Sequence, residues 1–467
     1  GNWRSELESF TVSFPEARYE DALYANLAYL LLNADEERVQ PGSRVYEKVW
    51  MRDGAVSSAA LLRSGRAGDV KEFLSWIAAR QGPDGEVPFT ITDKGIPAYV
   101  RDWKEYDSQG QFIYAAAEYY RFTKDKDFIQ TIFPNVLKAV SFLESKREQM
   151  KKERYLDSEG IASALYGILP ESNSHEGYFP PQHSYWDNIW GVRGYADALF
   201  LARELGRSEK KRLAAAYADY KEKLVRSYAK AMQFHAIRYL PGCVHKGDYD
   251  APATAAAVFP CSLTDLLSRE DLVYSMKRYY HNDFLFRKNN EWEGAFSGYE
   301  VRVALGLLHL GLRDEAIDMV DTFFDYMRPY EWKAWRETIL ADDRLPQYLG
   351  DTPHPWVGAI FINYVRSMLV YEKDRSLLLC AGVPDEWYAA GFSFDALPTW
   401  YGDVSCSVSA RGTVVEIRVE GAADPPGGWR IYIPPSLEIE GEARARKNDF
   451  YSFESLPVTL KCRVKSL

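Results

Sequence analysis

The chain has 467 residues, 46% of them hydrophobic and 27% charged, with a formal net charge of -10. This is enough to bury one large core and a smaller domain. The acidic balance, with no basic stripe carrying interleaved aromatics, argues against a nucleic-acid partner and against a strongly anionic substrate. The most apolar runs, such as Leu23 to Leu32, fall well short of the roughly 20 residues of a membrane span, so no membrane role is expected.

No charged and then apolar leader opens the sequence, which leaves the compartment open. The five cysteines, Cys243, Cys261, Cys380, Cys406 and Cys462, are scattered without CxxC spacing. They frame neither a disulfide set nor a zinc site and read as small buried hydrophobes. Aromatic residues make up 15% of the chain, with 13 Trp, 32 Tyr and 23 Phe. Many stand in polar loops beside Gly, Pro, Asp and Glu, where ring-faced ligands such as sugars stack.

From Ala17 to about Met368 the apolar residues recur at helical spacing, and two kinds of connector alternate. The short kind includes Leu62-Arg63-Ser64-Gly65-Arg66, Arg121 to Asp125, Glu204 to Ser208, Leu267 to Asp271 and Leu310 to Asp314. The long kind covers Ala34 to Arg52, Gly82 to Tyr106, Met150 to Trp186, His235 to Asp250, Phe284 to Glu293 and Arg328 to Pro353. Successive connections in antiparallel hairpins fall at opposite ends, so all the long loops share one face. Six hairpins closed into a toroid give a mainly α fold, an (α/α)6 barrel. An open superhelix is disfavoured because no repeat of roughly 34 to 47 residues is visible.

After Lys373 the period changes to two, in Ser405 to Ser409, Thr413 to Val419 and Trp429 to Ile433, with Pro425-Pro426-Gly427-Gly428 as punctuation. The expected division is a barrel over 1–373 and a small antiparallel β-sandwich-like domain over 374–467.

The long loops hold the candidate site. The first ends in Trp50, Arg52 and Asp53, with Asp53 expected to cap a helix from Gly54 to Leu62 and to pair with Arg52. The second supplies Trp103 and Asp107, and the third Glu171, His183, Trp186 and Asp187. The fifth holds Trp292 and Glu293, and the sixth Trp335, Glu337, His354 and Trp356. Helix capping accounts for many of these carboxylates, but not for the tryptophans. Carboxylates opposed across an aromatic pocket, without a nucleophile elbow or phosphate loop, point to glycoside chemistry: one acid protonates the leaving oxygen and one base activates water. His175 and His183 lack a third ligand at metal spacing and read as hydrogen-bonding walls. No metal or cofactor is expected, and the partner is a carbohydrate. The sequence leaves the oligomeric state open.

Over roughly Tyr46 to Val370 the chain resembles the glucoamylase-type six-hairpin glycosidases. Trp50-Met51-Arg52-Asp53 looks like their W-x-R-D, whose Arg and Asp hold hydroxyls of the terminal sugar. Tyr106-Asp107-Ser108-Gln109-Gly110 is similar to L-D-x-x-G, and Leu349-Gly350-Asp351-Thr352-Pro353-His354 to L-G-N-x-P-Q. Trp190-Gly191-Val192-Arg193-Gly194 resembles W-E-V-R-G, with Gly191 where the family has its acid. Asp187, one turn earlier, is the replacement acid expected, with Glu171 as its rival, and Glu337 is the counterpart of the base. The resemblance implies an inverting, exo-acting glycoside hydrolase. A polysaccharide lyase on a helical toroid and a catalytically lapsed sugar-binding protein are the alternatives.

Overall fold

A computed structural model describes residues 7, 9–42, 46–98, 103–156, 160–175, 177–289, 295–340, 351–440, 446–447 and 449–465. Trp292 and Glu293 lie outside the described residues. Among those described, twelve helices build the main body: α1 Ala17–Leu32, α2 Met51–Arg63, α3 Ala67–Ala78, α4 Asp107–Thr123, α5 Lys126–Glu148, α6 Tyr185–Glu204, α7 Lys210–His235, α8 Ala251–Val258, α9 Arg269–Tyr279, α10 Glu300–His309, α11 Arg313–Asp325 and α12 Pro355–Leu369.

The even-numbered helices touch in a ring, α2 to α4, α6, α8, α10, α12 and back to α2, and the odd-numbered ones pack outside. The burial patterns explain the two layers. All fifteen residues of α12, Pro355–Leu369, are buried, as an inner helix covered on every side requires. On α7 only a stripe of Leu213, Tyr220, Leu224, Ser227, Tyr228 and Ala231 is buried. That stripe is the amphipathic pattern of an outer helix. The (α/α)6 barrel is therefore the architecture.

The alternation of connectors holds, with one exception. Helix α8 ends at Val258, ten residues before α9. Pro260 has no N–H to donate and disfavours a helical Phe259, so the helix cannot run on to the expected turn at Leu267. At the other end the loops are zipped in pairs. Strand β2, Val49–Trp50, in the first loop pairs with β3, Thr90–Ile91, in the second. Bridges join Ser172 to Gln182 within the third loop and Ser184 to Cys243 in the fourth. In the last two loops, β4, Ala295–Ser297, pairs with β5, Thr338–Leu340.

The β region has two sheets. The six-stranded one runs β1 Thr11–Ser13, β8 Phe392–Leu397, β9 Val404–Arg411, β10 Val414–Gly421, β15 Val458–Val464 and β12 Leu437–Ile439, all antiparallel. The five-stranded one runs β13 Arg446–Lys447, β14 Phe450–Phe453, β11 Trp429–Tyr432, β7 Ser376–Leu379 and β6 Val370–Lys373, with β11 and β7 parallel. The sheets thus recruit one strand from the start of the chain and one directly continuous with α12. The five cysteines are buried thiols.

Candidate active site

Two glycines fix the spacing of the site. A Cβ on Gly110 of α4 would lie 2.1 Å from the Trp190 carbonyl oxygen of α6, and one on Gly194 would lie 2.8 Å from the Gly110 Cα. The two inner helices are therefore in backbone contact, which brings their first turns side by side. As a result Trp186 Nε1 donates to Asp107 Oδ2 at 2.7 Å. The same oxygen accepts from Gln111 Nε2 at 2.8 Å and from Arg52 Nη1 at 3.2 Å.

Arg52 does not pair with Asp53. Its Nη1 lies 2.7 Å from Glu105 Oε2, and Trp103 Nε1 donates to the other oxygen of Glu105 at 2.8 Å. The cause is the helix start: α2 begins at Met51 and is preceded by Trp50, so Asp53 sits inside the first turn rather than at the N-cap. Arg52 then turns toward the second loop rather than toward its neighbour. Burial pushes Asp53 up to about 7, against the opposing pull of Arg52 and Arg302. Glu105 is also raised, by burial and by Asp107, although Arg52 offsets part of this.

Asp187 is buried in the first turn of α6. Burial, followed by the negative charge of Asp107, holds its carboxyl well above the usual range. Ser172 Oγ donates to its Oδ2 at 2.5 Å, while Oδ1 is enclosed with no hydrogen-bond partner. Burial of this kind favours the neutral carboxyl over the carboxylate. The residue one turn further on explains the mismatch with the family motif. A Cβ on Gly191 would meet the Tyr220 hydroxyl of outer helix α7 at 2.6 Å. A side chain at position 191 would therefore be directed at outer helix α7.

The sixth loop brings Glu337. Its carbonyl accepts from Gly298 N at 2.7 Å and its N–H donates to the Asp351 carbonyl at 3.4 Å, which anchors it between the fifth and sixth loops. The Tyr46 hydroxyl donates to Glu337 Oε1, and Tyr46 N donates to Asp351 Oδ2 at 3.3 Å. Burial and the nearby Asp351 raise the Glu337 carboxyl, while the Tyr46 hydrogen bond opposes them. His354, which precedes α12, stands 5.3 Å from the Tyr46 ring, and burial lowers it to about 4.

Between these groups lies an aromatic wall. The Arg302 guanidinium carbon is 4.8 Å from the Trp186 ring, 5.1 Å from Trp356 and 5.3 Å from Tyr299. His175 stacks on Trp186 at 4.0 Å. Trp50 packs on Phe89 at 6.0 Å, with Arg52 at 5.9 Å from its ring. Trp335 does not belong to the wall: it packs on Phe324 and Phe361 in the hydrophobic core, 1% exposed. Glu171 stands in solvent at the rim, 3.9 Å from the buried His183 Nδ1.

Glu105, Tyr46, Arg302, Ser172 and Asp351 join the site without having been singled out by sequence. Arg302 had a readable signal: it is a lone cation in the apolar run Val301 to Leu308. A cavity of about 850 Å³ lies apart from all of these, lined by Arg269, Arg313, Lys373, Arg430 and Phe450 beside the β sheets.

No family sequence model and no curated protein sequence matches this chain. Solved structures do. An α-L-rhamnosidase of Dictyoglomus thermophilum aligns at a TM-score of 0.67 and 9% identity, over 98% of this chain and 50% of its own. The Streptomyces avermitilis α-L-rhamnosidase complexed with L-rhamnose aligns at 0.63 and 14% identity, over 98% and 42%. A protein described as a wild-type glycosidase aligns at 0.55 and 12% identity, over 75% of this chain and 96% of its own. The chain spans half or less of the length of the two rhamnosidases. The likeness is one of fold: this chain has the barrel of (α/α)6 glycosidases.

Proposed function

We propose that the protein is a glycoside hydrolase that removes a terminal sugar with inversion, using Asp187 as general acid and Glu337 as general base. The observation that carries this reading is a pair of carboxyls in different surroundings on loops of opposite hairpins. Asp187 is enclosed, and burial followed by Asp107 raises its carboxyl well above the usual range. Glu337 is half-buried and hydrogen-bonded to Tyr46. Helices α6 and α12 are three steps apart in a ring of six, so the two carboxyls approach a substrate from opposite sides. An inverting reaction needs that arrangement, with a water between base and sugar.

Asp53 and Arg52 form the floor for sugar hydroxyls, and Trp186, Trp356 and Arg302 form the wall. Gly191 faces α7, which removes the reason for reading the site as lapsed. The L-rhamnose bound by the Streptomyces avermitilis relative makes α-L-rhamnosides the first substrates to try, followed by other 6-deoxy and neutral sugars.

The test is incubation with a panel of aryl glycosides and oligosaccharides, with proton NMR following the anomeric signal. Release of one terminal sugar of inverted configuration supports the reading. Retention of configuration sinks the acid-base pair as assigned, and an unsaturated, ultraviolet-absorbing product indicates a lyase. Saturable binding with no turnover on any glycan indicates a binding protein.

A further inference from the structure

We propose that Glu171, His183 and His245 hold one divalent transition-metal ion of the zinc class at the rim of the loop face, tying the third loop to the fourth. Their ligand atoms lie within 4.8 Å of one another. The sequence shows only two of the three ligands in one loop, and the fold delivers the third. Ser172 and Gln182 exchange backbone hydrogen bonds at 2.8 Å each way, so the residues just outside that pair, Glu171 and His183, stand side by side. Val244 N then donates to the His183 carbonyl at 3.1 Å, which sets the next residue, His245, beside them. The two imidazole rings are 5.3 Å apart and inclined by 66°.

His183 supplies an observation independent of the clustering. It is 5% exposed, and its Nδ1 is buried with no hydrogen-bond partner. The nearest carboxylate oxygen, on Glu171, is 3.9 Å away, too far for a hydrogen bond and suited to an intervening ion. A buried ring nitrogen that lacks a partner carries a desolvation cost, and a metal bond would remove it.

Two imidazole nitrogens and one carboxylate oxygen are a zinc-type donor set, whereas calcium and magnesium take oxygen ligands. Bonds of 2.0 to 2.2 Å place tetrahedral donors roughly 3.3 Å apart. The closure needed is small, and Glu171 and His245 are both exposed side chains with freedom to make it. Three protein ligands leave a fourth position for water or a substrate hydroxyl. The site also fixes the segment leading into α6, since His183 is followed by Ser184, the residue preceding that helix. None of this depends on the hydrolase reading.

The test uses the full chain, free of any affinity tag and stripped with a chelator, titrated separately with Zn²⁺, Co²⁺ and Ca²⁺. Calorimetry follows binding, and the visible bands of tetrahedral Co²⁺ report geometry. One Zn²⁺ per chain is expected, with no stoichiometric Ca²⁺ binding and a Tm that rises with Zn²⁺. His245→Ala and Glu171→Gln change exposed residues, and each should weaken Zn²⁺ binding at least about 100-fold, since even outer-shell partners of a metal site are worth 10- to 100-fold. Absence of a stoichiometric site in the parent protein overturns the proposal. Zn²⁺ affinity unchanged in both variants overturns it too, as ion binding elsewhere on the surface.

Discussion

The two ends of the barrel bury the same kinds of side chain to opposite effect. At the short-turn end, Arg63 meets Glu118 at 3.1 Å, Arg121 meets Glu118 at 3.2 Å and Asp197 at 2.5 Å, and Arg193 meets Asp197 at 2.6 Å. Arg366 and Glu372 pair at 2.6 Å, both 3% exposed. Burial pushes Glu372 up, yet Arg366 more than compensates and holds it below the usual carboxylate range. Four arginines neutralise three carboxylates there. At the loop end, Arg52 is shared between Glu105 and Asp107, while Asp53, Glu105, Asp187 and Glu337 are all held above their ordinary values, with burial as the leading cause. Buried carboxylates matched by arginines serve the fold. Those left in excess are pushed toward the neutral form, and the fully enclosed Asp187 is the one suited to hold a proton for chemistry.

The comparison breaks most sharply through catalysis. Asp187→Asn and Glu337→Gln should each lower turnover by about 10² to 10⁴-fold, the range of a lost general acid or base, with an unchanged melting temperature. A fall in Tm alongside the loss of turnover would move Asp187 to the structural class. Next in size is Glu118→Gln, which leaves Arg63 and Arg121 short of a buried partner. It should cost about 3 to 5 kcal/mol in urea unfolding with little effect on KM, as breaking a buried pair does. Third, Asp53→Ala should weaken binding of the terminal sugar at least about tenfold, from loss of a charge-assisted hydrogen bond worth about 1.5 to 3 kcal/mol. Unchanged affinity in a folded variant would make the Asp53 position merely structural.

The smallest effect is a pH slope. Below the ordinary Asp value of 3.8, Asp53 is protonated both folded and unfolded, and it costs nothing. As pH rises from there to about 7, the unfolded chain ionises first and stability is lost; above about 7 the loss stays constant. Asp53→Asn removes this slope, so it should exceed the parent in stability at pH 8 by about 1 kcal/mol or more and match it at pH 3.5. Parallel stability curves for the two proteins would refute the raised carboxyl.

The ring, its two layers and the face that gathers the long loops were legible because periodicity and connector length are local properties of sequence. Local signals failed where tertiary partners decide. Asp53 looks like a cap, but the β2–β3 pairing carries the chain into α2 three residues early, and Arg52 leaves its neighbour for Glu105. Trp335 stands among polar residues yet fills a gap beside Phe324 and Phe361. Where the W-E-V-R-G likeness puts an acid, Gly191 abuts Tyr220 of α7, while Asp187 one turn earlier meets Ser172 of the third loop. His245 lies 62 positions beyond His183, and only the zipped loops bring them together.

Strand β1 has a consequence for the order in which this molecule can be assembled. Thr11 pairs with Asp395 and Ser13 with Ser393, so this segment waits for a partner made several hundred residues later. The edge it offers in the meantime is open to other extended chains. Most of the barrel's helix pairs are near neighbours in sequence, and only α12 has to return to α1 and α2. During synthesis, then, the helical ring can close once α12 has emerged while the sheet that includes β1 is still incomplete, and β8 then locks β1 down.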